Sequence, residues 1–344
     1  MSNKEILEAY RLFDRASSGD YRAKADMVES LTTSDFPQLL GRGFNTKLAA
    51  AYQALTPVWS QYSTRTTVQN FKPQTYKQLL GYNGFELVPE ATEYPAGDFA
   101  ETQYEFQARK YGRRFGLTFE MIVNDELGAF RNIHDTLAHA ARDLEGTVTA
   151  DALLNGKRSD VNTDFFKAAN SNAPESAALT RESLQSAIEV VSQKRDANDR
   201  PLVRPNLVLV VSPALEFKAR EIVNASEVRV ADGNTTVTSS NILAGAVTVV
   251  VDPNLMRSTH AKAAGTWFLL PAPNTARPAL VTAFMAGRET PDLRYQNDQG
   301  NRIGGGSIPV SEGSFDDDTI QYRGRHIVGA AAIDPTFTFV SRGN

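Results

Sequence analysis

The chain has 344 residues, a formal net charge of −4 and no cysteine. Basic and acidic residues are interspersed, which argues against a protein that grips nucleic acid over most of its surface, because phosphate neutralisation needs a basic patch. The missing cysteines exclude disulfides, thiolate zinc sites and cysteine nucleophiles. No stretch approaches the roughly 20 apolar residues of a membrane span, and the charged N-terminus does not resemble a secretory signal. We expect a soluble protein made in a cytoplasm.

Residues 1–65 contain too little continuous apolar surface to form a domain. Residues 4–14 have apolar positions at helical spacing, which indicates a short amphipathic helix. A polar stretch follows, and Gly41 and Gly43 then predict a flexible joint. For this region we predict an extended arm with short helices.

Residues 66–118 are rich in Tyr, Phe, Thr and Val, with frequent Gly and Pro. Thr102, Tyr104 and Phe106 alternate with polar residues, which is typical of a half-buried strand. Asn83-Gly84 is a turn signal. The sequence therefore predicts a long β-hairpin, and one with so few apolar residues is only marginally stable alone. We expect it to lie against another surface, and a neighbouring subunit is one candidate.

Residues 131–155 predict a single long helix of about 24 residues, ~36 Å long at the α-helical rise. Apolar residues recur every three or four positions along it; they are Ile133, Leu137, Ala141, Leu144, Val148 and Ala152. We expect this stripe, with Leu137 and Leu144, to face the core.

The remainder predicts mixed α and β structure. Thr180 is a helix cap, and Pro213 begins a second helix. Strands are predicted at 207–212, 246–252, 266–271, 279–287 and 318–334, with a mobile Gly-rich loop at 296–309.

The sequence lacks the common catalytic motifs, since no G-x-S-x-G, H-E-x-x-H or Walker A pattern occurs. His134 and His139 lie five positions apart on the predicted helix, about 140° from each other, so they cannot chelate one metal. The consecutive aspartates at 316–318 lack the spaced ligands of a calcium loop, which favours an acidic surface patch. We expect no catalytic residue, no metal and no cofactor.

Several ordered segments carry a family resemblance. They are KYGRRFGLTFEMIVNDELGAF (110–130), with its Asn124-Asp125-Glu126-Leu127-Gly128 motif, AHAARDLEGTVTADALLNG (138–156), GTWFLLP (265–271), FMAGRETPDL (284–293) and YRGRHIVGAAAIDP (322–335). As a set, they resemble the major capsid proteins of tailed bacteriophages, with the Hong Kong 97-type fold, and most of all the Mu-like head subunit branch.

The resemblance implies an α+β capsid fold with five parts. These are an N-terminal arm (1–65), an E-loop hairpin (66–118), a P domain (119–180), an A domain (181–315) and a C-terminal strand that returns to the P domain (316–344). The P domain contains a spine helix at about 131–155. It implies no enzymatic activity.

The function that the resemblance implies is self-assembly. Hexamers and pentamers of the chain would close into an icosahedral shell around packaged double-stranded DNA, without sequence-specific binding, in the cytoplasm of a bacterial host. Implied partners are further copies of the chain, a scaffolding protein and a portal, with a decoration protein left open. Two alternatives stay open: an encapsulin-like compartment, and an α/β enzyme or binding protein whose site has no recognisable motif.

Charge suggests where subunits touch. We hypothesise that a basic cluster at the end of the hairpin meets acidic residues of a neighbouring subunit. The basic residues are Arg109, Lys110, Arg113 and Arg114, and the acidic ones are Glu90, Glu93, Asp98, Glu101, Asp316, Asp317 and Asp318.

Overall fold

The structure is a computed structural model. It describes residues 36–80, 87–90, 92, 100–118, 133–196, 198–232, 235–296, 303, 316 and 319–343, together with positions 8, 11, 12, 15, 20, 22, 23 and 26. The chain divides into two compact units. The first unit comprises Met1–Thr56, Arg109–Leu144 and Met285–Val328, and the second comprises Pro57–Ala108, Glu145–Phe284 and Gly329–Asn344.

Helices and strands are numbered here in chain order. The helices are α1 (Phe36–Ala54), α2 (Ile133–Leu153), α3 (Arg181–Ser192) and α4 (Glu216–Asn224). The strands are β1 (Thr64–Val68), β2 (Gln74–Leu80), β3 (Ala100–Phe106), β4 (Arg109–Thr118), β5 (Leu207–Val211), β6 (Glu227–Asp232), β7 (Thr235–Ser240), β8 (Val247–Val251), β9 (Trp267–Pro271), β10 (Leu280–Met285), β11 (Asp292–Tyr295), β12 (Thr319–Ala332) and β13 (Phe339–Ser341).

The strands form two larger sheets and two separate pairs. One sheet has the order β1-β10-β12-β11, and β4 also pairs with β12. The other has the order β13-β9-β5-β8. The separate pairs are β2-β3 and β6-β7.

The core of the first unit includes one face of α1. Phe44, Leu48 and Tyr52 are buried at intervals of four residues and pack in one cluster with Ala138 and Ala141 of α2. The predicted flexible joint at residues 41–43 is therefore corrected, because these residues lie inside α1. An apolar face with a core to bury it offsets the helix-weakening effect of two glycines, about 1 kcal/mol each.

The core of the second unit surrounds β5. All five side chains of LVLVV are buried, and β5 pairs in parallel with β8 and antiparallel with β9. Helix α3 packs on this core through Leu184, Ala187 and Val191. Thr180 and Ser183 form a capping box at the start of α3. The predicted strand at 207–212 and the predicted Thr180 cap are thus confirmed.

The predicted hairpin is present as an antiparallel pair. Its register runs from Gln74 opposite Phe106 to Leu80 opposite Ala100. The predicted turn at Asn83-Gly84 lies outside the described residues. So do the motif at 124–128 and most of the Gly-rich segment 296–309. The predicted long final strand is confirmed as β12.

The long helix is confirmed as α2, but its buried face differs from the predicted one. Ala138, Ala141, Glu145, Thr149 and Leu153 are 0–5% exposed, whereas the other members of the predicted stripe, Leu137 and Leu144 among them, are only half-buried. Apolar periodicity missed this face because it contains polar residues that hydrogen bonds allow to be buried.

Two of those hydrogen bonds lie in the second unit. The indole Nε1 of Trp59 donates to Oε2 of Glu145 at 3.0 Å. The hydroxyls of Thr149 and Thr282 are 3.0 Å apart. Both pairs join α2 to residues far away in sequence, so no local pattern could have shown them.

Candidate functional site: the two faces of strand β4

Strand β4 carries all four residues of the predicted basic cluster, and its register with β12 divides them. Arg109 and Arg113 lie opposite Val328 and Gly324 on one face of the sheet. Lys110 and Arg114 lie on the other face, because successive side chains of a strand point to opposite faces. All four side chains are exposed. The expectation of a single basic cluster is therefore corrected to two pairs.

The face with Arg113 packs towards the core of the first unit. Phe115 stacks on Tyr322 across the strands, with ring centroids 5.5 Å apart and planes at 8°. A groove of about 420 Å³ opens beside it, lined mainly by apolar side chains that include Phe115, Leu137 and Leu144. Arg113 also lines this groove. Leu137 and Leu144 of α2 thus form part of an open apolar surface.

The opposite face of the same strands is strongly basic. Arg114 of β4 lies directly opposite Arg323 of β12, and Arg323 lies directly opposite Arg294 of β11. We call Arg114, Arg323 and Arg294 the arginine row. They line a depression of about 320 Å³ together with Gln296 and Gln321.

Asp292 is the one acidic residue in β4, β11 and β12. Arg325 holds it with two hydrogen bonds, Nε to Oδ1 at 2.9 Å and Nη2 to Oδ2 at 2.7 Å. Arg294 Nε donates to Oδ2 at 2.9 Å. Burial by itself would raise the pKa of Asp292, but the hydrogen bonds from Arg325 and then Arg294 outweigh it and lower this pKa.

The charges on this face do not balance. Among the described residues of β4, β11 and β12, Lys110 and Arg325 share this face with the arginine row, so five positive charges face one negative charge, a net of four. Within the part of the chain that the structure describes, Arg114 and Arg323 have no ion-pair partner. Sequence reasoning missed this surface because β4 lies far along the chain from β11 and β12: Arg114 is 180 positions from Arg294 and 209 from Arg323.

The predicted acidic partners are only partly described. Glu90 and Asp316 are exposed, and Glu101 lies within β3. Four others lie outside the described residues: Glu93, Asp98, Asp317 and Asp318.

A buried tyrosine–aspartate pair lies in the second unit. The hydroxyl of Tyr62 donates to Asp252, and burial followed by the charge of Asp252 raises the pKa of Tyr62 well above its ordinary value. Among the described residues, no group of three or more His, Asp or Glu could hold a metal ion. None of the described helices is long and apolar enough to cross a membrane.

Comparison with solved structures identifies the fold. A structure from Mycobacterium phage Bobi matches with 13% sequence identity and a TM-score of 0.50, covering 83% of this chain and 90% of that chain. The capsid of a native GTA particle also matches, with 14% identity and a TM-score of 0.47, covering 83% of this chain and 90% of that chain. A virus-like particle from Pyrococcus furiosus matches with 10% identity and a TM-score of 0.46, covering 87% of this chain and 97% of that chain. Only the first reaches a TM-score of 0.5. The chain has the α+β fold of Hong Kong 97-type capsid subunits.

The family comparison is more specific. A family model described as phage capsid protein matches residues 101–341. The chain therefore belongs to the phage capsid protein family, and it is a major capsid protein, a structural component of a virion shell. The narrower resemblance to the Mu-like branch is not confirmed. No curated protein matches the sequence.

Proposed function

We propose that copies of this capsid protein associate as hexamers and pentamers and close into an icosahedral shell around packaged double-stranded DNA. Assembly takes place in the cytoplasm of the bacterial host, with a scaffolding protein and a portal as further partners. The observation that carries this proposal is the hairpin β2-β3, which forms a two-stranded sheet of its own.

The hairpin is poorly stabilised from within. Its face with Thr75 and Glu105 is exposed, and Tyr76 and Tyr104 on the other face are only half-buried. No side chain that the structure describes in β2 or β3 is fully buried. Two-stranded hairpins are marginally stable in water unless they pack against something else. A neighbouring subunit supplies that surface in a shell.

The parts of the subunit follow from this role. Residues 1–65 act as an N-terminal arm, 66–118 as the E-loop, 119–180 as the P domain, 181–315 as the A domain and 316–344 as the returning strand. The E-loop lies over the P domain of a neighbour, where α2 is the spine, and the A domains meet around the capsomer axes.

The face with Arg109 and Arg113 is the place for contact between copies. It combines exposed positive charge with the apolar groove beside Leu137 and Leu144, and interfaces between proteins join an apolar centre to a polar rim. The acidic residues around Glu90 in a neighbour's hairpin complement the two arginines. An exposed ion pair contributes only about 0–1 kcal/mol, but a shell repeats it in every subunit.

The test is charge reversal on this face alone. Arg109→Glu with Arg113→Glu should leave the circular dichroism spectrum unchanged and prevent closed shells in sedimentation and negative-stain electron microscopy. Arg204→Glu with Lys218→Glu is the matched control, since both residues are exposed in the second unit. If the first variant forms normal shells, this face is not the contact between copies. The same conclusion follows if the control variant loses shells to an equal extent.

A further inference from the structure

We propose that the arginine row is a binding site for the phosphate backbone of nucleic acid. The proposal deepens the proposed function, because it assigns to one surface of the subunit the contact with the DNA that the shell encloses. The chain as a whole is acidic, with a net charge of −4, so a net of four positive charges on one sheet face is a local concentration.

The geometry of the row suits a repeating anion. Neighbouring strands are ~4.8 Å apart, so three residues in register span roughly 10 Å at the backbone. A DNA duplex carries about one negative charge per 1.7 Å of axis, so that distance presents roughly six charges. Like charges directly opposite each other are unfavourable in a sheet. Binding of a polyanion relieves this repulsion.

The chemistry of the row also matches phosphate. A guanidinium group presents paired N–H donors in a planar fork that fits two phosphate oxygens, and all three members of the row are arginine. Gln321 and Gln296 line the same depression, and side-chain amides commonly donate to phosphate oxygens.

The face is open to a bulky rod-shaped partner. Gly112 and Gly116 flank Arg114 on the same face of β4. They add no side chains there, although the side chain of Thr319 occupies the space over Gly116, where a Cβ atom would lie only 2.5 Å from its Cγ2. Arg114 and Arg323 are themselves exposed, so a duplex backbone can reach both guanidinium groups.

Contact with a second copy fits this face less well. Interfaces between proteins bury an apolar centre, whereas the one large apolar residue on this face of β12, Ile327, is already buried. Interfaces with nucleic acid are more polar and more positively charged. The single carboxylate, Asp292, is already held by two arginines. The two faces of β4 thus serve two partners: protein on the apolar side and nucleic acid on the basic side.

The test measures duplex binding by the unassembled full-length chain. Fluorescence anisotropy with a labelled random-sequence duplex, at several salt concentrations between about 50 and 200 mM, gives the affinity and its salt slope. Arg114→Gln with Arg323→Gln should weaken binding about tenfold or more at low salt and reduce the slope by about 2. Both side chains are exposed, so the fold should be retained. The control Arg204→Gln with Lys218→Gln should bind within about twofold of the original chain, since isolated exposed charges contribute little.

The outcomes separate this site from the shell function. If Arg114→Gln with Arg323→Gln leaves duplex binding unchanged, the proposal is overturned. It is also overturned if the original chain binds no duplex. If an acidic peptide covering residues 87–105 binds instead and requires Arg114 and Arg323, the face belongs to a copy contact and the proposal is equally overturned. Electron microscopy of the same protein after assembly distinguishes the two failures, because shells without duplex binding contradict only the phosphate site.

Discussion

Arg323 of β12 lies directly opposite Arg114 of β4 on one face of the sheet, at a position where cross-strand partners usually attract or are neutral. Neither residue has an ion-pair partner within the described part of the chain. Within the described residues, the free subunit therefore carries a repulsive pairing that no ion pair offsets.

Removing one charge of the pair should stabilise the isolated chain. Arg323→Gln is expected to raise the free energy of unfolding by about 0.2–1 kcal/mol at low salt, and the gain should shrink as salt screens the repulsion. Arg325→Gln is the matched control, because Arg325 lies two positions further along β12 on the same face. This variant should lower the stability of the chain, since Arg325 is paired with Asp292. Urea unfolding of the two variants measures both effects. Loss of stability in Arg323→Gln would show that Arg114 and Arg323 do not repel.

Asp292 gives the first unit a pH-dependent contribution to stability. Because Arg325 and Arg294 lower the pKa of Asp292 below its ordinary value of 3.8, its contribution is present above that value and is lost as pH falls through the lower folded pKa. Asp292→Asn should therefore be less stable than the original chain at pH 7, and the difference should narrow in acid below about pH 4. Denaturant unfolding across this range measures it. A difference that is constant down to pH 2 would contradict the ion-pair assignment.

Two leucines on α2 distinguish its buried face from the groove. Leu153 is 0% exposed, so Leu153→Ala should lower the free energy of unfolding by about 2–5 kcal/mol. Leu144 lines the open groove, so Leu144→Ala should cost less than half as much, although apolar periodicity predicts a core position for it. Thermal or chemical unfolding of the two variants measures the loss of stability in each, and equal losses would place Leu144 in the core.

The hairpin should change its accessibility on assembly. Limited proteolysis of unassembled chains should cut within residues 68–108, since backbone without internal packing opens easily. Assembled particles should resist cleavage there. Mapping the fragments by mass spectrometry provides the measurement, and equal protection in both states would mean that the hairpin belongs to the core of a single subunit.

Much of the fold could be predicted because its signals are local. The five consecutive apolar residues of β5 are all buried, and Thr180 caps α3 through Ser183, three residues further on. Each of these features is decided within a few residues, so periodicity and capping rules suffice to find it.

The rest depends on pairings between distant parts of the chain. Glu145 is buried because Trp59, 86 positions away in sequence, donates to it, and the buried face of α2 therefore includes Glu145 rather than Leu137 and Leu144. The arginine row exists only once β4, β11 and β12 are in register. The four basic residues of β4 look like one cluster in the sequence, but the alternation of a strand sends them to two faces.

Negative-stain electron microscopy of the purified full-length protein tests the capsid function most directly. Closed shells, tubes or separate capsomers are expected, with a sedimentation coefficient far above that of a single 37.7 kDa chain. A protein that remains a well-behaved monomer at every concentration and salt tested would contradict it.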